Sequence, residues 1–464
     1  MSNRRRVLLS VLTGLISVAT AGAQDREAPD TAVGLPPGAR TAISRAIASD
    51  ADSLLEEAKL VSGTAAHGSL GESVAISGDT IVAAAPPAAV YVFVKPASGW
   101  ASTSAFSAKL SNPAGAADDG FGTSVAISGD TVVVGAWGVG NATGAAYVFV
   151  KPASGWTSTS LYSAKLTASG GLAGDFFGLS VAIDGDTLIV GASNAKVGGN
   201  DGQGALYVFE KPASGWASTS AFAARLTAAG ELANDALGTS AAISGDAVIG
   251  GAPAFGGSQS AAYVFVRPPS GWASTSHFDA KLTASDLPNG TEFGGSVAIS
   301  DDAAVVGAPL LGNSDQGAAF VFEKPAAGWS STSTFDAELT VPVAGDYFGT
   351  AVALAGRTVA VGAPSQPGLR VPGSAYVFVE PPTGWASTSA FDAKIQASDA
   401  AGWDSFGFSV AISEGTLVVG AQAADQAAGA AYVFGGLPQP CAPGTRCVIP
   451  VPAPPAALVD PRNP

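Results

Sequence analysis

The chain has 464 residues, 47% of them hydrophobic and only 13% charged, so it can bury a large core and is not disordered by composition. Its formal net charge of −15 is spread over many separated Asp and Glu residues and repels phosphate backbones and anionic lipid surfaces, which argues against nucleic acid as a partner. Gly, Ala, Ser, Thr and Val dominate while Met is scarce, so short strands and tight turns are expected rather than long helices.

The first 23 residues read as a secretion signal. Arg4, Arg5 and Arg6 precede an apolar run from Val7 to about Val18, and Ala21-Gly22-Ala23 supplies a small-residue cleavage site. Export to the periplasm or the extracellular space is therefore expected. No later segment reaches ~18 uninterrupted apolar residues, so no membrane insertion is expected. Residues 24–54 read as a linker with one helical turn near Ile43 to Ile47.

From 55 to 435 one phrase recurs: FGTSVAISGDTVVVGA from Phe121, FGLSVAIDGDTLIVGA from Phe177, FGGSVAISDDAAVVGAP from Phe293 and FGTAVALAGRTVAVGAP from Phe348. Looser copies begin at Leu70, Leu237 and Phe406, giving seven at spacings of 51 to 60 residues, the mark of a repeat architecture. Each unit holds four strand candidates. SVAIS leads through a Ser-Gly-Asp turn into TVVVGA, then AYVFV, then an AKL type. The third is apolar on both faces, with Tyr147 and Phe149 on one and Val148 and Val150 on the other, so it must lie between two neighbours. The fourth alternates as a half-exposed edge, for example Phe106, Ala108 and Leu110 against Ser107 and Lys109. Small residues such as Ser124, Ala126 and Ser128 suit the first strand to a crowded axis.

This grading of chemistry predicts an all-β, seven-bladed β-propeller of four-stranded antiparallel blades. The last copy stops at Phe434 without its AKL strand, and an orphan Ala58-Lys59-Leu60 precedes the first copy, so the N-terminal strand is expected to complete the final blade. Glu56 stands where other copies carry Phe or Tyr, a loss of about 1.5 to 3 kcal/mol of burial in that strand. Residues 436–464 form a Pro-rich tail with the only cysteines, Cys441 and Cys447. In an exported chain a local disulfide between them is expected, with free thiols as the alternative.

These residues resemble the FG-GAP repeat family, which includes the seven-bladed propeller at the head of integrin α chains and many exported bacterial proteins. The resemblance implies that fold and a role in adhesion or ligand binding. Integrin-like copies often carry a calcium loop of the DxDxDG type, whereas here the connection is only Ser-Gly-Asp-Thr, as at Ser128 to Thr131. A lone Asp offers too few oxygen ligands. Asp79, Asp130, Asp186 and Asp246 therefore read as turn formers, and no metal or other cofactor is expected. Asp119, Asp175, Asp235, Asp346 and Asp404, two residues before the FG aromatic, read as loop stabilisers before metal ligands.

Strand alternation puts the SGD and KPASGWxSTS loops on one face, nearly identical in every copy, and the remaining loops on a variable face. Recognition is expected on variable loops, with Trp137 and Trp403 as the sharpest candidates and Asn200, Asp201 and Arg370 beside them. The repeated Trp100, Trp156, Trp216, Trp272, Trp329 and Trp385 are expected to brace the hairpin between third and fourth strands. His67 and His277 fall in unrelated repeats, so no triad or metal centre can be assembled and no enzyme is expected. The leading reading is a secreted, monomeric recognition or adhesion module for an extracellular protein or glycan. A structural envelope component and a propeller hydrolase or lyase are the alternatives.

Overall fold

The computed structural model describes residues 54–438, apart from 64–67, 88, 113–114, 231, 256–258, 286, 313–314, 342, 344 and 366–370. The signal segment, the linker up to residue 53, Arg370, and the tail beyond Pro438 with Cys441 and Cys447 lie outside the described residues. Among the described residues twenty-eight strands form seven four-stranded sheets. Blade 1 consists of Val74–Ser77, Thr80–Ala85, Ala89–Val94 and Ala108–Leu110. Blades 2 to 6 repeat it from inner strands that begin at Val125, Phe177, Ser240, Ser296 and Ala351. Blade 7 takes Phe406–Ser413, Thr416–Ala421 and Ala430–Gly435 from the last repeat and its outer strand, Leu55–Leu60, from the start of the chain.

Seven apolar clusters lie between successive blades. At the junction of blades 1 and 2, one wall is small and aliphatic: Val82, Ala84, Val90, Val92, Ala108 and Leu110. Blade 2 answers with Phe121, Tyr147 and Phe149, the Phe121 ring standing edge-on to both at 5.6 and 6.3 Å. Alternation within the third strand does this directly, because Tyr147 and Phe149 face blade 1 while Val148 faces blade 3. The repeated tryptophans pack at the same junctions. Trp156 closes the one between blades 1 and 2, Trp216 the next, and Leu437 takes the tryptophan's place between blades 6 and 7.

Nearer the axis the walls meet backbone to backbone. A Cβ added to Gly251 would collide with the carbonyl oxygen of Gly294, the FG glycine of the next blade; Gly135 faces Gly178 and Gly307 faces Gly349 in the same way. Beside each contact a serine hydroxyl donates to that carbonyl, as Ser180 to Gly238, Ser240 to Gly294 and Ser296 to Gly349, each at 2.8 Å. The FG and GA glycines of the repeat are thus the two sides of one contact.

At the rim, the half-exposed edges expected from the sequence are covered. The Ser-Thr-Ser run of each 3–4 loop lies parallel to the outer strand of the preceding blade. The backbone N–H of Lys109 donates to Ser158 Oγ at 3.0 Å, Thr159 N–H to the Lys109 carbonyl at 2.9 Å, and Ser111 N–H to the Thr159 carbonyl at 3.1 Å. The same cap recurs on the outer strands of blades 7, 2, 3, 4 and 5 through Ser102, Ser218, Ser274, Ser331 and Ser387.

The ring closes as the orphan strand predicts. Lys59 pairs with Tyr432 and Ala58 with Val433, and the contact extends to Leu55 against Gly435, five paired positions against three in the other outer strands. Glu56 lacks an aromatic's burial but accepts hydrogen bonds from the N–H and hydroxyl of Ser398 at 2.7 and 3.1 Å, tying the closing strand to the connection after blade 6. Lys59 reaches both Asp399 and Asp425 at 2.7 Å, and the Tyr432 hydroxyl donates to Asp399 at 2.9 Å. Burial works against the Lys59 charge, but its two carboxylate partners outweigh that and hold the ammonium above its ordinary value. Burial likewise pushes Asp399 up, and hydrogen bonds from Lys59 and Tyr432 overcome it and hold the carboxyl below its ordinary value.

Two outcomes follow from these contacts. Gly251→Ala should cost about 2 kcal/mol or more through overpacking, while Gly129→Ala, where a Cβ meets nothing within 4 Å, should cost only about 1 kcal/mol for its left-handed backbone, both read by urea denaturation. A depressed Asp399 contributes stability that is full above its unfolded value of 3.8 and is lost as pH falls through the folded one; a raised Lys59 contributes below 10.5 and loses it above. Asp399→Asn should therefore cost about 1 kcal/mol or less at pH 7 and flatten the acid limb of the stability profile, as followed by thermal melts from pH 2 to 8.

Candidate binding surface

The two faces separate as strand direction requires. On the regular face, Lys151 N–H donates to the Asp130 carbonyl at 2.8 Å and its ammonium pairs with the Asp130 carboxylate at 2.9 Å, so the SGD turn and the start of the 3–4 loop are fastened together. Lys211 and Asp186 repeat the pair, and blade 6 inverts it, with Arg357 bidentate to Glu380 at 2.9 and 3.0 Å. On the variable face, the 2–3 loop meets the blade-to-blade loop instead, as Gly138 N–H on the Asp119 carbonyl at 2.9 Å.

The acids before the FG motif organise that variable face. The carboxylates of Asp119, Asp175 and Asp404 accept the N–H three residues back, from Ala116, Leu172 and Ala401, at 2.8 to 3.0 Å, and Asp235 accepts from Leu232 in the same way. Each carboxylate cinches a small loop, and the residue at its tip turns outward. The tips of these four loops are Ala116, Leu172, Leu232 and Ala401, and Pro288 and Val343 hold the corresponding position before blades 5 and 6; all six are exposed and apolar. The residue just before the FG position is left-handed in blades 2 to 7, glycine at Gly120 and non-glycine in Phe176, Ala236, Glu292, Tyr347 and Ser405, the latter five with φ from +51° to +62°. Such backbone costs about 1–2 kcal/mol per residue and persists only where surroundings over-determine it. Burial raises the Asp346 and Asp404 carboxyls above their ordinary value.

The residues singled out in the sequence are dispersed over this surface. Trp403 stands in the connection between blades 6 and 7, 52% exposed and left-handed at φ +86°. Trp137 is half-buried and packs edge-on against Phe176 at 5.3 Å, bracing its own loop on that of blade 3. Asn200 and Asp201 form the exposed tip of the blade 3 loop, where Asn200 donates to Gln203 and Asp201 pairs with Lys196 at 2.8 Å. No described contact joins these residues. The crown of apolar tips was not singled out in the sequence, although an apolar residue three before each acid was its signal.

A cavity of about 870 Å³ opens at the channel mouth on the regular face, floored by one aliphatic side chain per blade: Ile76, Ile127, Ile183, Ile243, Ile299, Leu354 and Ile412. The axis is therefore bulkier at this end than the Ala and Ser of the inner strands suggested. Polar groups at its rim are already engaged, Arg357 by Glu380, Lys324 by the Asp301 carbonyl at 3.2 Å and Asp184 by Gly245 N–H at 2.7 Å.

Among the described residues no helix is long and apolar enough to cross a membrane. No curated protein matches the chain. The family model described as FG-GAP repeat matches residues 105–149, 162–209, 277–322, 341–378 and 390–434. Four of the five matches begin just before one blade's outer strand, the match 341–378 begins just after one, and all end in the next blade's third strand, the same offset that the N-terminal strand resolves in blade 7. The two blades left out are those with Leu70 and Leu237 in place of the FG aromatic; both residues are buried and both blades form. By these repeats and by the ring they build, the chain belongs to the FG-GAP repeat family.

Proposed function

We propose that the protein is an exported recognition module that binds an extracellular protein or glycan through the variable-loop face of its propeller, without catalysis. The observation that carries this reading is the crown of apolar tips displayed in blade order, four of them on loops cinched by a carboxylate. Leu172 at 56%, Leu232 at 60% and Val343 at 39% exposure share the face with Phe255, Val371 and Trp403, and exposed apolar groups so grouped mark interaction surfaces. Loops fixed by side-chain hydrogen bonds lose little entropy on binding, which favours affinity. Aliphatic tips suit a protein surface, and Trp403 suits either a protein or a sugar ring.

Binding to protein and glycan arrays tests the reading. The double substitution Leu172→Asp with Leu232→Asp, and separately Trp403→Ala, should weaken capture at least tenfold, about 1.4 kcal/mol, with little change in melting temperature. Lys151→Ala on the regular face should leave it unchanged. Capture lost in the Lys151 variant and kept in the others would place the binding surface on the opposite face.

A further inference from the structure

On the regular face the acids of blade 5 lack the ion pairs that their counterparts in blades 2 to 4 make, and they border the cavity at the channel mouth. In blades 2, 3 and 4 the Asp of the SGD turn pairs with the first basic residue of the 3–4 loop: Asp130 with Lys151 and Asp186 with Lys211 at 2.9 Å, and Asp246 with Arg267 at 3.8 Å. Arg267 also reaches Glu210, the last residue of the third strand of blade 3, at 2.8 Å. In blade 5 Lys324 donates to the Asp301 carbonyl at 3.2 Å instead, and among the described residues no cation pairs with the Asp302 carboxylate. The residue that would answer Glu323 as Arg267 answers Glu210 is Glu380, which Arg357 holds, so Glu323 likewise has no ion pair among the described residues. Two further acids are singular to their copies. Asp184 stands where the others have Ser or Ala, and Asp301 where five have Gly. They flank the turn of blade 4: Asp184 accepts from Gly245 N–H at 2.7 Å and Asp301 from the Ser244 hydroxyl at 3.2 Å, each through one oxygen, which leaves lone pairs for another donor.

Asp184, Asp301, Asp302 and Glu323 all line the cavity, and all four are exposed. Of the two cations beside them, Arg357 is held by Glu380, so Lys324 alone stands against four carboxylates. A cleft dominated by one sign of charge over low-dielectric walls concentrates the opposite charge, and here the wall is the floor of seven aliphatic side chains. At about 870 Å³ the cavity has the size of small-ligand sites. Its carboxylates are spread rather than convergent: among the described residues no three acids, His or Cys come together closely enough to hold a metal ion. Spread acceptors over an apolar floor suit cations spaced along a hydrocarbon chain, not a point charge. We propose that this cavity binds an aliphatic polyamine, its methylene segments on the aliphatic floor and its ammonium groups on Asp184, Asp301, Asp302 and Glu323. An ammonium carries donors only, which matches a rim whose uncommitted groups are mainly acceptors. The site lies on the face opposite the apolar tips and does not rest on the recognition role assigned to them.

Calorimetric titration of the full chain with spermidine tests this. Spermidine should bind saturably, and more weakly as salt rises. The double substitution Asp302→Asn with Glu323→Gln should weaken it about tenfold or more while the melting temperature is kept, since both side chains are exposed. Leu172→Asp with Leu232→Asp, on the other face, should leave it unchanged. Absence of saturable binding below about 1 mM overturns the proposal, and so does unchanged affinity in the Asp302 and Glu323 variant. Two competitors separate the parts of the ligand, magnesium supplying charge without methylenes and an aliphatic diol supplying methylenes without charge. Neither should displace spermidine as well as spermine does; if magnesium does, the site is a counterion atmosphere, and if the diol does, it is an apolar patch, and either result overturns the proposal.

Discussion

The spacing of the blades near the axis is set by a contact with no room for a side chain. Where Gly251 meets the Gly294 carbonyl and Gly135 meets that of Gly178, two backbones touch, and a serine hydroxyl alongside fixes the distance with a hydrogen bond. Because the inner ends are held this close, larger side chains must be found progressively outward, and the aromatic trio of FG phenylalanine, tyrosine and phenylalanine fills the widening gap. A wedge results from steric grading alone, and wedges of one angle close into a ring. Blade 1, with Ala84 in place of the glycine, shows that the contact tolerates one methyl where the facing serine rearranges: Ser73 accepts from Val125 N–H at 3.1 Å instead of donating across the junction.

Most of this grading was legible in the sequence because it is local. Alternation in AYVFV, the FG and GA spacing, and the orphan AKL segment each sit within a few residues, and each has a simple physical meaning. What was hidden concerns relations between repeats. Ser158 carries no sign that it accepts from Lys109, and Glu56, which read as a defect in the closing strand, serves a residue more than three hundred positions away. The candidate surface was partly legible for the same reason. Loop variability pointed to the face that carries the exposed tips, while Trp137 packs against Phe176; the tips themselves were overlooked because Ala, Leu, Pro and Val do not look alike in a sequence. Left-handed backbone at Phe176, Ala236 and Tyr347 gave no compositional warning either, since Gly is the residue that normally announces it.

The division of labour between faces follows from the same constraint. The regular face carries the turns that must repeat if the blades are to be equivalent, and its charges are spent on each other, as in the inverted Arg357 and Glu380 pair that keeps the contact while exchanging its signs. The variable face carries connections whose length is free, four of them held by a single acid each, so sequence can change at the tip without disturbing the wedge beneath.

Closure by the first strand also decides how the molecule bears load. Leu55 lies opposite Gly435, so the two points where the chain enters and leaves the ring are neighbours at the same end of one antiparallel ladder. A tension applied through both flanking segments would open that ladder like a zipper, rung by rung, rather than shear all its bonds together. The Lys59 clasp on Asp399 and Asp425 lies one pair short of the far end of the ladder, and is therefore among the last contacts to meet the force.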